Sequence, residues 1–171
     1  MTNQTASIKL NPKQILLALL AMVVVIIGLS IWGQKIRFFG IADIRGPWHE
    51  FLLDQLMQNF YLDAEGNITT YINALLLFIP ALLLAAISSW KISVKDKFRF
   101  NWVGLALIFF FLSIDEAAVI HENMIKPMRA IAGAEGFFYF AWVIPGMMMV
   151  ALFGLVYLMF FLHLENKFKI L

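Results

Sequence analysis

Two long segments without any charged side chain limit the possible folds of this chain more than any other feature. Residues 15–33 and 69–90 are 19 and 22 residues long. A helix rises about 1.5 Å per residue, so each segment is long enough to cross a hydrocarbon core of roughly 30 Å. Residues 102–124 and 137–162 are apolar over most of their length and predict two more spans. The sequence therefore predicts an all-α integral membrane four-helix bundle, as a single transmembrane domain over residues 1–171.

The composition agrees with this prediction and excludes several classes of function. Hydrophobic residues make up 62% of the chain and charged residues 14%, which is outside the usual range of soluble domains. The chain has no cysteine, so disulfides, thiolate metal sites and cysteine nucleophiles are excluded. The formal net charge of +2 does not suggest nucleic-acid binding.

The distribution of basic residues predicts the orientation in the membrane. The short segment 91–99 contains three lysines and one arginine, and further lysines lie near both ends of the chain. Cytoplasmic segments of membrane proteins carry an excess of such residues. We therefore expect a multi-pass protein of the cell (inner) membrane, with both termini in the cytoplasm.

The connection between the first two spans contains a predicted amphipathic helix over residues 47–62. Pro47 follows Gly46, and proline is favoured at the first position of a helix. Apolar and polar side chains alternate with helical spacing, so that each kind occupies one side of the helix. This pattern is typical of a helix that lies in the membrane interface.

A fifteen-residue pattern occurs twice at an offset of 72. Residues 36–50 read IRFFGIADIRGPWHE, residues 108–122 read IFFFLSIDEAAVIHE, and six positions are identical. The shared D-x5-H-E motif predicts a duplication with repeat units 14–90 and 101–164. Since the first and third spans run in the same direction, the two helix pairs would be parallel repeats, related by an axis along the membrane normal.

The two motifs also supply the candidate site residues. Imidazole and carboxylate ligands suit Fe, Mn or Zn. We expect Asp115, His121 and Glu122 to act in catalysis, and the predicted metal ligands are Asp43, His49, Glu50, Asp115, His121 and Glu122. Within the second motif we expect a continuous helix, which would place Asp115 and Glu122 roughly 20° apart on one face. Glu116 would then point away from them.

Other interpretations of the same residues remain open. Asp115 and Glu122 could form ion pairs with Arg45, Lys126 or Arg129, which would make the cluster a structural salt-bridge network. Intramembrane Asp and His residues also mark proton or cation pathways. A serine nucleophile at Ser113 is disfavoured, because this side chain would lie roughly 160° around the helix from Asp115.

Three functions are compatible with these patterns. The first is a metal-dependent membrane enzyme that acts on a lipid-soluble substrate entering from the bilayer. The second is a non-catalytic subunit or scaffold of a larger membrane complex or homo-oligomer. The third is proton or cation translocation.

Overall fold

A computed structural model of the chain describes residues 11–39, 46–132 and 143–164. Helices make up 87% of the described residues, and these residues contain no β-strand, which confirms the all-α prediction. The helices are α1 (Pro12–Phe39), α2 (Pro47–Phe60), α3 (Ile68–Ser93), α4 (Arg99–Ala118), α5 (Ile120–Asn123), α6 (Ile125–Ala132) and α7 (Val143–His163).

Four of these helices are long and apolar enough to span a membrane. The spanning candidates are Pro12–Ile36, Ile68–Ser93, Arg99–Ala118 and Val143–His163, so the prediction of four long apolar helices is confirmed. Most of their side chains are exposed, as expected for helices whose apolar surface is covered by lipid. The chain divides into two compact units, unit 1 over Met1–Thr69 and unit 2 over Thr70–Leu171.

Unit 1 is built from α1 and α2. The α2 helix begins at Pro47 after Gly46, which confirms the predicted helix start. The two helices pack closely at Gly33, where an added Cβ atom would lie 3.1 Å from Met57 Cγ. The backbone N–H of Leu62 also donates a hydrogen bond to the buried Ser30 hydroxyl over 3.3 Å.

Unit 2 begins with an antiparallel pair formed by α3 and α4. The short connection between Ser93 and Arg99 favours antiparallel neighbours. The buried Ser113 hydroxyl of α4 donates a hydrogen bond to the Ala74 carbonyl of α3 over 2.8 Å. Small buried residues on both helices, Ala81 on α3 and Ala106 on α4, are the type that allows membrane helices to approach closely.

The α7 helix packs antiparallel to α4. Tyr157 fills the space left by the absent side chain of Gly104, and its hydroxyl donates to the Asn101 carbonyl over 3.1 Å. One turn further along α7, Phe160 is 2% exposed and packs edge-on against Trp102. The end of α7 therefore lies beside the beginning of α4.

The prediction of a continuous helix through the second motif is wrong. The α4 helix ends at Ala118, and Val119 adopts the left-handed conformation with φ of 55°. This conformation is strained for a β-branched residue. After the break the backbone N–H of His121 donates to the Asp115 carboxylate over 3.0 Å, so a side chain satisfies a donor near the helix end. The predicted alignment of Asp115 and Glu122 on one face required the continuous helix and is therefore also wrong.

The break occurs at a related position in both motifs. In the first motif α2 begins at Pro47, and 72 residues later Val119 separates α4 from α5.

Candidate functional site

Asp115 and His121 form the best-defined polar contact at one end of unit 2. Asp115 Oδ2 lies 3.0 Å from His121 Nδ1, while Asp115 Oδ1 accepts the His121 backbone N–H. Both side chains are 20% exposed. The break at Val119 makes this geometry possible, because it turns the chain back over the last turn of α4. In the second motif, the five residues between Asp115 and His121 allow the Asp115 carboxylate to accept the His121 backbone N–H just after the end of α4.

This contact favours one tautomer of the His121 ring. An ionised carboxylate only accepts hydrogen bonds, so beside such a group Nδ1 is the donor. In the neutral ring Nε2 then has the lone pair and is the nitrogen that can ligate a metal ion. A histidine that ligates a metal ion usually donates its other ring N–H to a carboxylate or another acceptor in this way.

Glu122 provides a second potential ligand beside His121. A ring nitrogen of His121 and a carboxylate oxygen of Glu122 lie within 4.8 Å of each other. Bonds of about 2.0–2.2 Å to one ion place donor atoms no more than roughly 4.4 Å apart. Because Glu122 is exposed, its side chain can rotate to reach this separation. Asp115, His121 and Glu122, here called the His/carboxylate cluster, are thus brought together.

The remaining predicted ligands come from the first motif. Asp43 lies outside the described residues, and so does the side chain of His49, although its backbone belongs to α2. Glu50 is exposed in the first turn of α2, in unit 1. A contribution of these three residues to one site stays a prediction.

Comparison with known proteins identifies the family of this chain. A family model described as a domain of unknown function (DUF8692) matches residues 15–170. The chain belongs to the DUF8692 family. The match includes all four long helices and both D-x5-H-E motifs. No curated protein and no solved structure matches the chain.

The DUF8692 chain contains one more polar contact at the same end of unit 2. Asn73 Nδ2 of α3 donates to Glu116 Oε1 of α4 over 2.7 Å. The sequence predicts no role for Glu116 in the site, because its side chain points away from Asp115 around the helix. Glu116 nevertheless lies one turn after Ser113, which bonds to Ala74, so that both side chains face α3. The spacing of three residues was the signal that could have revealed this contact.

The structure tests one of the three basic residues that could pair with Asp115 or Glu122 in the DUF8692 chain, namely Lys126. Arg45 and the side chain of Arg129 lie outside the described part of the structure. Among the described side chains, no ion pair joins Lys126 to Asp115 or Glu122, and Asp115 pairs with His121 instead. Ser113 donates its hydroxyl hydrogen bond to the Ala74 carbonyl of α3.

Proposed function

We propose that this DUF8692 protein is an integral membrane protein whose His/carboxylate cluster binds a divalent metal ion. The observation that carries the proposal is the 3.0 Å contact between Asp115 Oδ2 and His121 Nδ1. It orients the imidazole, and a ring nitrogen of His121 lies within 4.8 Å of a Glu122 carboxylate oxygen. An imidazole that a carboxylate already holds in one orientation supports metal binding more specifically than a group of acidic residues would.

The proposed roles of the three residues differ from one another. His121 provides Nε2 as a ligand, and Glu122 provides an oxygen and a negative charge. Asp115 is a positioning residue, since both of its oxygens are already engaged by His121. Fe, Mn and Zn all accept such nitrogen and oxygen ligands. If the two motifs belong to parallel repeats, as the sequence predicts, Asp43, His49 and Glu50 of the first motif would be further ligands.

We further propose an enzymatic role with a lipid-soluble substrate. A bound metal ion would polarise a substrate oxygen or lower the pKa of a bound water. The cluster lies at the end of a spanning helix whose last turns expose Phe111 and Ile114. A hydrophobic molecule that diffuses in the bilayer could reach the cluster along these side chains. The proposal includes the cell membrane, with cytoplasmic termini, as the location of the protein.

A second candidate function is a non-catalytic subunit of a larger membrane complex. It is favoured by the role of Asp115 at the end of α4, because a carboxylate that accepts a backbone N–H also has a purely structural use. The exposed apolar side chains of α7, among them Met148 and Leu155, would then contact partner helices. In this case the purified chain would contain no metal and would co-purify with other membrane proteins.

Elemental analysis of the full chain in detergent tests the metal proposal. The wild type is compared with His121→Ala, Glu122→Gln and a control, Glu116→Gln, after dialysis against each of Fe²⁺, Mn²⁺ and Zn²⁺. We expect one or two equivalents of metal in the wild type and the control, none in His121→Ala and less in Glu122→Gln. A folded wild type without metal under all conditions would refute the proposal and favour the subunit role.

A further inference from the structure

The connection between α3 and α4 carries a basic surface at the end of unit 2 opposite to the cluster. Four bases and one acid lie within residues 91–99. The acid, Asp96, accepts from Lys91 Nζ over 2.8 Å. Its second oxygen accepts the backbone N–H of Phe98, also over 2.8 Å. Among the described residues, no carboxylate lies in an ion pair with the three other bases, which are Lys95, Lys97 and Arg99.

The backbone of this loop is held in a defined shape. Lys95 adopts a left-handed conformation with φ of 54°, and its N–H donates to the Ile92 carbonyl over 3.0 Å. The N–H of Asp96 donates to the Lys91 carbonyl over 2.9 Å. The side chains of Lys95 and Lys97 are exposed. Because the backbone is held in this way, the two exposed lysines project from defined positions of one short loop.

Exposed aromatic rings border the basic loop on both sides. Trp90 is 60% exposed and Phe100 is 69% exposed. The Lys91 ammonium lies 5.1 Å from the Trp90 ring centroid, and the Arg99 guanidinium carbon lies 4.9 Å from the Phe100 centroid. Aromatic rings beside basic groups are typical of the level at which a protein meets lipid headgroups.

We propose that this loop is a binding site for the headgroups of anionic phospholipids. The loop joins two spanning candidates, so its charges lie at the depth of the lipid phosphates. Lys95, Lys97 and Arg99, which form no ion pair with a carboxylate of the described residues, attract these phosphates. Trp90 and Phe100 would insert between the lipids beside them. A free phosphate ion is also an anion but would gain nothing from the two rings.

Native mass spectrometry of the full chain in neutral detergent tests the proposal. Phosphatidylglycerol or phosphatidylcholine is titrated in, and the bound lipid is counted. The double variant Lys95→Gln/Lys97→Gln is compared with the control Lys35→Gln/Lys126→Gln, which removes two exposed lysines elsewhere. Parallel thermal unfolding shows that both variants fold.

The expected result is a preference of the wild type for phosphatidylglycerol. Each basic residue near an anionic surface contributes a factor of about five in apparent affinity, so the loop variant should bind roughly 25-fold more weakly and the control should be unchanged. Equal retention of both lipids, or the same loss in both variants, would overturn the proposal. Displacement of the lipid by an equal concentration of inorganic phosphate would also overturn it, because the site would then recognise phosphate alone.

Discussion

Replacement of Asp115 by Asn is the most informative perturbation of the His/carboxylate cluster. Asp115 accepts two hydrogen bonds from His121, one from the backbone N–H and one from Nδ1, each 3.0 Å long. An amide has one acceptor oxygen and a donor NH₂ group. If the oxygen keeps the backbone N–H, the NH₂ group faces Nδ1, which must then become an acceptor. The proton of the ring moves to Nε2, and this nitrogen can no longer ligate a metal.

The size of the effect follows from these bonds. A hydrogen bond to a charged group contributes about 1.5–3 kcal/mol and one between neutral groups about 0.5–1.5 kcal/mol. Each of the two bonds therefore loses about 1–1.5 kcal/mol, and Asp115→Asn should cost roughly 2–3 kcal/mol of stability. Loss of the group that accepts the ring N–H of a ligating histidine typically reduces metal affinity about 10- to 100-fold. We therefore expect a folded protein with strongly weakened metal binding.

The assay is a Zn²⁺ titration of the detergent-solubilised chain, with thermal unfolding measured on the same samples. Glu116→Gln is the matched control, because it also removes a carboxylate from the end of α4 but has Asn73 as its partner. The control should lose stability and keep its zinc affinity. Wild-type zinc affinity in Asp115→Asn would refute the assigned role of Asp115.

Three further predictions concern the packing and the polar contacts of the two units. Gly104→Ala should lower the free energy of unfolding by about 1–3 kcal/mol, because the added methyl group clashes with the Tyr157 hydroxyl. Tyr157→Phe removes this hydroxyl, so the free energy lost in the double variant should be smaller than the sum of the two single losses. Ser30→Ala should speed hydrogen exchange of the Leu62 amide about two- to tenfold, since it removes a hydrogen bond of about 0.5–1.5 kcal/mol. Unchanged exchange would contradict the hydrogen bond between Leu62 and Ser30. Bonds from Lys91 and Phe98 lower the pKa of Asp96 below its usual 3.8, so Asp96 stabilises the folded chain above that pH and loses this effect as the pH falls through the lowered value. The difference in melting temperature between the wild type and Asp96→Asn should accordingly be present at neutral pH and disappear under strongly acidic conditions.

The fold was largely predictable because the signals for its helices are local. The absence of charge over residues 15–33 and 69–90 is enough to predict spanning helices. Gly46 followed by Pro47 is similarly enough to predict where α2 begins. Nothing in the sequence shows that Tyr157 of α7 fits against Gly104 of α4, since this contact depends on how two distant helices are placed.

Two residues of the candidate site could be identified from the sequence, but their geometry could not. The repeated motif identified Asp115 and His121, which the structure brings into contact. The predicted alignment of Asp115 with Glu122 on one continuous helix was wrong, because the break at Val119 has no local signal. Left-handed conformations favour Gly and Asn, and a β-branched residue rarely adopts them. Glu116 was missed for another reason. Its partner Asn73 lies on a different helix, and the orientation of α4 towards α3 cannot be read from α4 alone.

Nuclear magnetic resonance of the chain with ¹⁵N-labelled histidine tests the central claim most directly. The chain has three histidines, and comparison with His121→Ala assigns the signals of His121. The account predicts that Nδ1 carries the proton before and after addition of Zn²⁺, while the Nε2 signal shifts on binding. A proton on Nε2, or no response of either nitrogen to zinc, would contradict the assignment of the cluster as a metal site.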